Sequence, residues 1–285
     1  IPAVGGDEAW DPRSPTNLEL ARRLERAVRA NGAVPATVAV LDGSIRIGLD
    51  DADLARLARD ENAAKASTRD LAVVLATGRA AGTTVSATLC ACRLTSPPIR
   101  VFATGGIGGV HRDWVTHPDV STDLVELART RCCVVSAGAK SILDLPATVE
   151  CLETLGVPVI GYATDDFPRF HAVGTNELST PLRLDTPRQI ALACRHQWET
   201  LDLRSGLLVT NPVPIAAAVD GGAMDAQVRA ADAASRAAGV RGRDRTPDVL
   251  ARLAGASAGL LEANIALLVS NASLAALIAT ALAGG

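Results

Sequence analysis

Lysine is rare in this sequence, in which nearly all basic side chains are arginines. Of the 28 lysine and arginine residues, only Lys65 and Lys140 are lysines. Arginine keeps its proton in proteins, whereas lysine can lose it when it is desolvated or lies near another cation. A neutral amine is a nucleophile, so these two residues are the first candidates for covalent catalysis.

Lys140 lies in the segment Cys132–Asp144, which reads CCVVSAGAKSILD. The apolar residues predict a buried strand, and the glycine-containing turn after it leads into a helix predicted for Ser141–Leu155. Burial and a helix N-terminus both disfavour an ammonium ion, so the amine is expected to be partly neutral near pH 7 and able to attack a sugar aldehyde. The alternatives are a surface lysine at a helix start and a phosphate-binding lysine.

Lys65 lies in a similar context, with AKAS around it against the AKS around Lys140. We interpret it as a cation that depresses the pKa of the reactive amine, or as a contact to a sugar hydroxyl or phosphate. The alternative is a solvated lysine on a loop.

A glycine-rich loop, ATGGIGGVHR, follows an apolar strand predicted for Ile99–Thr104. Backbone of this kind can approach a ligand closely and present N–H groups to a phosphate, or it can simply make tight turns. It is not a dinucleotide fingerprint, because His111 stands where the third glycine is required. His111 is a candidate contact to substrate or to the ligand shell of a metal. The alternative is a histidine whose hydrogen bonds are all made within the loop.

The segment PDVSTDL places Asp119, Ser121 and Asp123 at alternate positions before a predicted helix. Ser121 can cap that helix. Asp119 is a candidate ligand for a hard divalent cation, held through waters, while Ser121 and nearby N–H groups face a phosphate. The alternative is that these residues only cap the helix and complement its dipole.

Two further polar groups lie in apolar surroundings. The threonines of Thr83–Val85 either begin a helix or contact a phosphate. Asn264 and Asn271 are seven residues apart on the last predicted helix and therefore share one face. Buried amides need partners, which are either substrate or backbone.

Strands and helices alternate along the chain, which predicts a single α/β domain over residues 1–285. The continuous apolar strands indicate an α/β/α architecture, with a mostly parallel sheet covered by helices on both faces. An Asp42–Gly43 turn predicts a hairpin near the start. Ligands of such sheets lie outside the carboxyl ends of the strands. Four segments occupy such ends: Gly105–Arg112, Gly138–Ser141, Thr164–Asp166 and Asn211–Pro214.

Composition narrows the function. A net charge of −3 without a basic patch, and only 2% aromatic residues, argue against a nucleic-acid partner. Six cysteines without zinc spacing are typical of buried thiols in a reducing cytoplasm. No signal peptide is recognisable. The uncharged stretch Ala263–Gly285 contains several polar residues, which favours a buried helix over a membrane span.

Together these segments resemble the pseudouridine-5′-phosphate glycosidase family, also called indigoidine-synthase-A-like. The matching segments cover nearly the whole chain and are Val34–Gly43, Lys65–Leu71, Thr83–Val85, Val101–Arg112, Asp119–Leu124, Ala137–Asp144, Cys151–Tyr162, Asn211–Pro214 and Glu262–Leu267.

The resemblance implies a role for each candidate residue. Lys140 matches the lysine that forms an imine with C1 of ring-opened ribose 5-phosphate, and Asp119 matches the aspartate that binds a divalent cation, usually Mn²⁺. The family is typically a homotrimer with an α/β/α core. The positions that match its substrate contacts are Lys65, Thr84, Val85, Ser121, Thr122, Asp123 and Asn264.

The sequence departs from the family on the side that faces the ring. The family's N-terminal motif carries a glutamate general acid, and here only Pro15 and Asn17 clearly match it, while Glu8 does not align without a gap. Trp114 stands where small or acidic residues are usual. The loop Leu94–Pro98 is about two residues longer than usual.

Four hypotheses follow. The first is reversible cleavage of pseudouridine 5′-phosphate to uracil and ribose 5-phosphate, with the imine as electron sink. The second is a synthase that attaches ribose 5-phosphate through carbon to an aromatic natural product, for which the Ala- and Arg-rich composition suits a GC-rich, metabolite-producing bacterium. The third is a sugar-phosphate binding protein without catalysis, and the fourth is an aldolase-like lyase.

Overall fold

The structure is a computed structural model that describes residues 16–112, 114–116, 118–173, 178–240, 248, 249, 252 and 259–284. Helices and strands alternate along it. The helices are α1 Thr16–Ala30, α2 Asp51–Arg59, α3 Leu71–Ala76, α4 Val85–Leu94, α5 Thr122–Arg129, α6 Leu145–Thr154, α7 Pro187–Arg195, α8 Gly221–Ala237 and α9 Gly259–Ala283. The strands are β1 Val38–Leu41, β2 Ser44–Ile47, β3 Ala64–Ala66, β4 Ala81–Thr83, β5 Val101–Ala103, β6 Val110–His111, β7 Cys133–Ser136, β8 Leu143–Asp144, β9 Val159–Tyr162, β10 Leu182–Leu184 and β11 Leu207–Thr210.

A five-stranded sheet in the order β10-β9-β11-β7-β5 forms the centre, and all its neighbouring strands are parallel. Alternate residues of β7 face opposite helical layers. Val134 packs with Leu127 of α5 and Leu152 of α6, whereas Val135 packs with Ile190 of α7 and with α9. The predicted α/β/α layering is therefore confirmed, and burial on both faces explains why these strands are continuously apolar.

A second, mixed sheet in the order β2-β1-β4-β3 contains the predicted hairpin. Asp42 and Gly43 both have positive φ, 52° and 70°, as a two-residue hairpin turn requires. The strands β3 and β4 have no clear pattern in the sequence, because they are three residues each and consist of Ala, Lys, Gly and Thr, a mixture with weak strand preference. Lys65 consequently lies on a strand opposite Gly82, and the loop interpretation was wrong.

The helix predicted for Ser141–Leu155 begins four residues later, at Leu145. Asp144 caps it by accepting a hydrogen bond from the Ala147 N–H, and a proline lies in its first turn. The preceding residues form a turn and β8, which pairs antiparallel with β6. Lys140 therefore does not lie at a helix N-terminus, and that contribution to its pKa is absent.

The long apolar helix α9 lies against the sheet. By length and composition it is the one helix among the described residues that could cross a membrane. It contacts β5, β7, α1 and α7, and the Asn271 amide donates to the Thr104 carbonyl oxygen at 2.8 Å. The helix predicted there is confirmed, and ten of its residues are buried. The sequence also predicts a helix over Thr246–Ala254, most of which falls outside the described residues.

The turn that carries Lys140 requires glycine at position 138. Gly138 has φ +80°, and a Cβ there would lie 2.7 Å from the Pro168 carbonyl oxygen. Gly78 also has a positive φ, +66°, but a Cβ there would meet nothing within 4 Å. Substitutions at Gly138 and at Gly78 therefore separate the effect of backbone strain from that of steric overlap.

We expect Gly138→Ala to lower the free energy of unfolding by about 2–4 kcal/mol, since strain and overpacking add. Gly78→Ala should lower it by about 1–2 kcal/mol, from strain alone. Urea unfolding of both variants measures the difference. Equal losses would show that the Pro168 contact relaxes without cost.

Candidate active site

All ten residues singled out from the sequence line one cavity of about 1800 Å³. The cavity lies at the carboxyl ends of β5 and β7, as expected for a parallel α/β sheet, and β3 and β4 of the second sheet also contribute to its wall. The ten residues are Lys65, Thr84, Val85, His111, Asp119, Ser121, Thr122, Asp123, Lys140 and Asn264.

Lys140 lies on the turn after β7. Its backbone N–H donates to the Ile107 carbonyl oxygen at 3.2 Å, and its own carbonyl accepts from the Leu143 N–H at 3.0 Å, so the turn is fixed on both sides. The residue as a whole is half-buried, but its amine is desolvated.

Burial and, to a lesser extent, the positive charge of Lys65 together lower the pKa of Lys140 to about 8, while the negative charge of Asp123 opposes both. At pH 7 about one amine in ten is then neutral, against about one in three thousand for an ordinary lysine. Although the Lys65 side chain is exposed, its positive charge lowers the pKa of Lys140. The predicted electrostatic role of Lys65 is consistent with this geometry.

The carboxylate of Asp123 is buried, at 5% exposure, and joins three segments of the site. One oxygen accepts from the Ser86 N–H at 2.9 Å and the other from the Gly108 N–H at 2.8 Å. These bonds fix the starts of α4 and α5 against the glycine-rich loop. A Cβ at position 108 would lie 2.4 Å from the Ser121 hydroxyl oxygen, which explains why the loop has glycine there.

Hydroxyl groups connect the starts of α4 and α5. Thr84 and Ser121 occupy the N-cap positions, and Ser121 accepts from the Asp123 N–H, as predicted. The Ser86 hydroxyl lies 3.0 Å from those of both Thr84 and Thr122. Two helix N-termini with hydroxyls between them form an environment that favours an anion such as a phosphate.

His111 and Asp119 lie at another part of the cavity wall. The His111 N–H donates to the Asp119 carbonyl oxygen at 3.0 Å, and His111 Nε2 lies 3.9 Å from Asp119 Oδ2. The described residues contain no cluster of three or more His, Cys, Asp or Glu side chains that could hold a metal. Only an ion that keeps several of its waters would fit a carboxylate in this setting.

Phe170 and His171, which no sequence pattern indicates, also line the cavity. They come a few residues after Thr164–Asp166, a segment that the sequence places at the carboxyl end of a strand. Asn264 lines the cavity, whereas Asn271 lies outside it and bonds to Asn211 and to backbone, so only the first of the two amides belongs to the site. Phe170 has φ 62°, which no sequence pattern signalled.

The fold and the cavity define a layered α/β enzyme with a desolvated lysine at the carboxyl edge of its sheet. The chain belongs to the family described as indigoidine synthase A like protein, whose profile matches residues 12–281. The family resemblance read from the sequence is thus confirmed, while the single domain over residues 1–285 stays a prediction.

Known relatives cover most of the chain. A protein of Sorangium cellulosum named pseudouridine-5′-phosphate glycosidase is 49% identical, over 94% of this chain and 84% of its own length. A Methylobacterium nodulans protein of the same name is 52% identical, over 95% and 79%.

Two solved structures share the fold. The prealnumycin C-glycosynthase AlnA, in complex with ribulose 5-phosphate, gives a TM-score of 0.87 at 37% identity, over 96% of this chain and 89% of that one. An indigoidine synthase A-like protein of Thermotoga maritima gives 0.82 at 35% identity, over 92% and 85%.

The charge of Lys65 should set the pH at which Lys140 becomes reactive. We expect acylation of Lys140, followed by mass spectrometry across a pH series, to have a midpoint near pH 8. In Lys65→Gln the repulsion is removed, so the pKa of Lys140 rises, the midpoint moves to higher pH and labelling at pH 7 falls. Lys65→Arg keeps the charge and should keep the midpoint. An unchanged midpoint in Lys65→Gln would contradict the electrostatic role.

Proposed function

We propose that this protein is a C-glycosidase that reversibly breaks the carbon–carbon bond of pseudouridine 5′-phosphate, giving uracil and ribose 5-phosphate through a lysine imine. The observation that carries the proposal is the Lys140 amine, whose pKa of about 8 leaves a reactive fraction in a cavity with anion-binding helix starts. The names of the relatives at 49% and 52% identity support the substrate.

The first half of the reaction joins the amine to the sugar. The ring oxygen leaves C1 of the ribose and takes up a proton, and the Lys140 nitrogen bonds to C1 and loses one. Burial makes this attack possible, because the neutral amine has a free electron pair. The Lys65 ammonium raises the neutral fraction and favours negative charge that develops nearby.

The second half breaks the carbon–carbon bond. The nitrogen electron pair forms the C=N bond while the bond from C1 to the ring carbon breaks, and that carbon takes up a proton. Water then adds to C1 and releases ribose 5-phosphate with the free amine, so one water is consumed overall. The glutamate nearest the family's general acid, Glu8, lies outside the described residues.

The phosphate of the sugar is proposed to lie at the starts of α4 and α5. N–H groups of Val85 and Thr122 and the hydroxyls of Thr84 and Ser121 are available there, while both Asp123 oxygens already accept backbone hydrogen bonds. The ribulose 5-phosphate complex of AlnA supports a pentose 5-phosphate as a ligand of this fold. Asn264 is assigned to the opposite half, near His171.

A divalent cation, Mn²⁺ in the first instance, is part of the proposal. Asp119 would hold it mainly through waters, with His111 beside the carboxylate. When bound, such an ion neutralises negative charge on oxygen atoms of the substrate.

Assembly and location complete the proposal. A homotrimer is proposed, for which exposed apolar side chains such as Val34, Leu261 and Leu277 offer contact surface. A cytoplasmic location fits the six cysteines, all of which are free thiols.

A second candidate function is supported by the likeness to AlnA. A C-glycosynthase would run the same steps backward and attach the pentose phosphate to an aromatic ring, as in antibiotic biosynthesis. The non-catalytic and aldolase-like hypotheses have no comparable support, since the named relatives are C-glycosidic enzymes.

The proposed reaction predicts uracil release from pseudouridine 5′-phosphate in the presence of Mn²⁺, followed by chromatography. Lys140→Ala and Lys140→Arg should both lose at least about a thousandfold in turnover, since arginine keeps the charge but has no free electron pair. Borohydride with ribose 5-phosphate should attach the pentose to Lys140. Full activity of Lys140→Ala would refute the imine, and trapping without uracil release would favour the synthase.

The metal proposal predicts that a chelator lowers activity and that Mn²⁺ restores it. Asp119→Asn should raise the Mn²⁺ concentration for half-maximal activity by at least about tenfold, because a neutral amide is a weaker ligand. Asp165→Asn, an exposed aspartate that does not line the cavity, is the matched control. The same response in both variants would place the ion elsewhere.

A further inference from the structure

Ser86 lies directly behind the part of the cavity wall to which the phosphate is assigned. It is the second residue of α4 and is completely buried, at 0% exposure, so no ligand in the cavity touches it. Its neighbours Thr84 and Thr122 are half-buried and line the cavity. Any effect of Ser86 on a ligand must therefore pass through the side chains that it contacts.

The backbone and the hydroxyl of Ser86 join three segments of the site. Its N–H donates to Asp123 Oδ1 at 2.9 Å, which connects the starts of α4 and α5. Its hydroxyl oxygen accepts from the Thr68 N–H at 3.3 Å, in the segment that follows Lys65 on β3. The position of the hydroxyl is consequently fixed from both sheets.

The Ser86 hydroxyl takes part in three hydrogen bonds, which is its full capacity. A hydroxyl has one proton to donate and two electron pairs that accept. The Thr68 N–H uses one electron pair. The hydroxyls of Thr84 and Thr122, each 3.0 Å away, share the other electron pair and the proton. All three bonds form together only if one threonine donates to Ser86 and the other accepts from it.

The two threonine hydroxyls are therefore unequal toward a ligand. The threonine that accepts from Ser86 keeps its own proton, and within the described parts of the chain neither hydroxyl bonds to any residue except Ser86. The threonine that donates to Ser86 offers only electron pairs. The first hydroxyl suits a phosphate oxygen, whereas the second suits a donor such as a sugar hydroxyl.

The direction of that one proton matters for affinity. A hydrogen bond to an ionised phosphate is about twice as strong as one between neutral groups. A donor that is already oriented needs no reordering when the anion arrives, whereas a hydroxyl that rotates must first be ordered. Without the Ser86 hydroxyl, both threonine protons would lose their fixed direction.

We propose that Ser86 is a positioning residue, which directs one hydroxyl proton of the pair Thr84 and Thr122 toward the phosphate of the substrate without touching the substrate. This inference rests on the proposed function for the place of the phosphate. The competing role is that Ser86 only packs the starts of α4 and α5 together.

Ser86→Ala removes the hydroxyl and leaves the backbone bond to Asp123 in place. Ser205→Ala is the matched control, because Ser205 is also buried but does not line the cavity. Its hydroxyl accepts from the Gln197 amide at 2.9 Å and donates to the Gly156 carbonyl oxygen at 2.8 Å. Thermal unfolding of both variants checks that each is folded and compares their losses of stability.

Calorimetry with ribose 5-phosphate gives the readout and needs no turnover. We expect Ser86→Ala to weaken ribose 5-phosphate about five- to twentyfold, and Ser205→Ala to change it by less than about twofold. The acylation midpoint of Lys140 should stay near pH 8 in both variants, since the groups that set it are unchanged.

A double-mutant cycle separates orientation from packing. Thr84→Val and Thr122→Val are each made in the parent and in the Ser86→Ala protein. For the threonine that accepts from Ser86, we expect a loss of about tenfold in the parent and of less than about threefold in Ser86→Ala. Valine keeps the shape of threonine, so packing alone would give the same loss in both proteins.

Three results would overturn the inference: an affinity in Ser86→Ala within about twofold of the parent, additive losses for both threonines, or a shifted Lys140 midpoint, which would show that Ser86 acts through the lysines. Uracil release from pseudouridine 5′-phosphate is scored separately. Its absence alongside the expected affinities would refute cleavage and keep the role of Ser86. Its presence with unchanged affinities would keep cleavage and place the phosphate elsewhere.

Discussion

The desolvation of the Lys140 amine, reinforced by a second positive charge, is the constraint on which the site depends. Burial removes the water that would stabilise the ammonium ion, and Lys65 adds a second positive charge. Asp123 compensates only in part, because both of its oxygens accept backbone hydrogen bonds. With a free carboxylate beside it, the lysine would remain protonated at neutral pH and could not attack carbon.

This electrostatic arrangement requires two sheets. Lys140 follows β7 of the parallel sheet and Lys65 lies on β3 of the mixed sheet, so their separation depends on how the sheets are joined. The Asp123 carboxylate connects the two sheets. It accepts hydrogen bonds from the start of α4, which follows β4 of the mixed sheet, and from the glycine-rich loop after β5 of the parallel sheet. Position 108 must be glycine for this connection, because a Cβ there would overlap the side chains of Ser121 and Asp123.

The sequence allowed the parallel sheet, the hairpin and the ten lining residues to be predicted, because apolar runs, an Asp-Gly turn and a family resemblance each leave local patterns. It did not allow β3 and β4 to be predicted, since their pairing is non-local and their composition is neutral. The start of α6 was misplaced because β8 uses residues that also suit a helix. His171 was missed because its burial follows from the φ of Phe170 and from a backbone hydrogen bond to the distant Val219.

The two halves of the cavity carry different information about the reaction. An imine with a pentose phosphate is an intermediate of both cleavage and synthesis, so residues around Lys140 serve either direction equally. The choice of ring is set by the groups that bind that ring more tightly in the transition state than in the ground state, whereas the net direction of a reversible reaction follows the concentrations of its substrates and products. Shared sugar chemistry therefore explains why one fold relates this chain both to proteins named glycosidases and to a glycosynthase, and the ring side is where such proteins must differ.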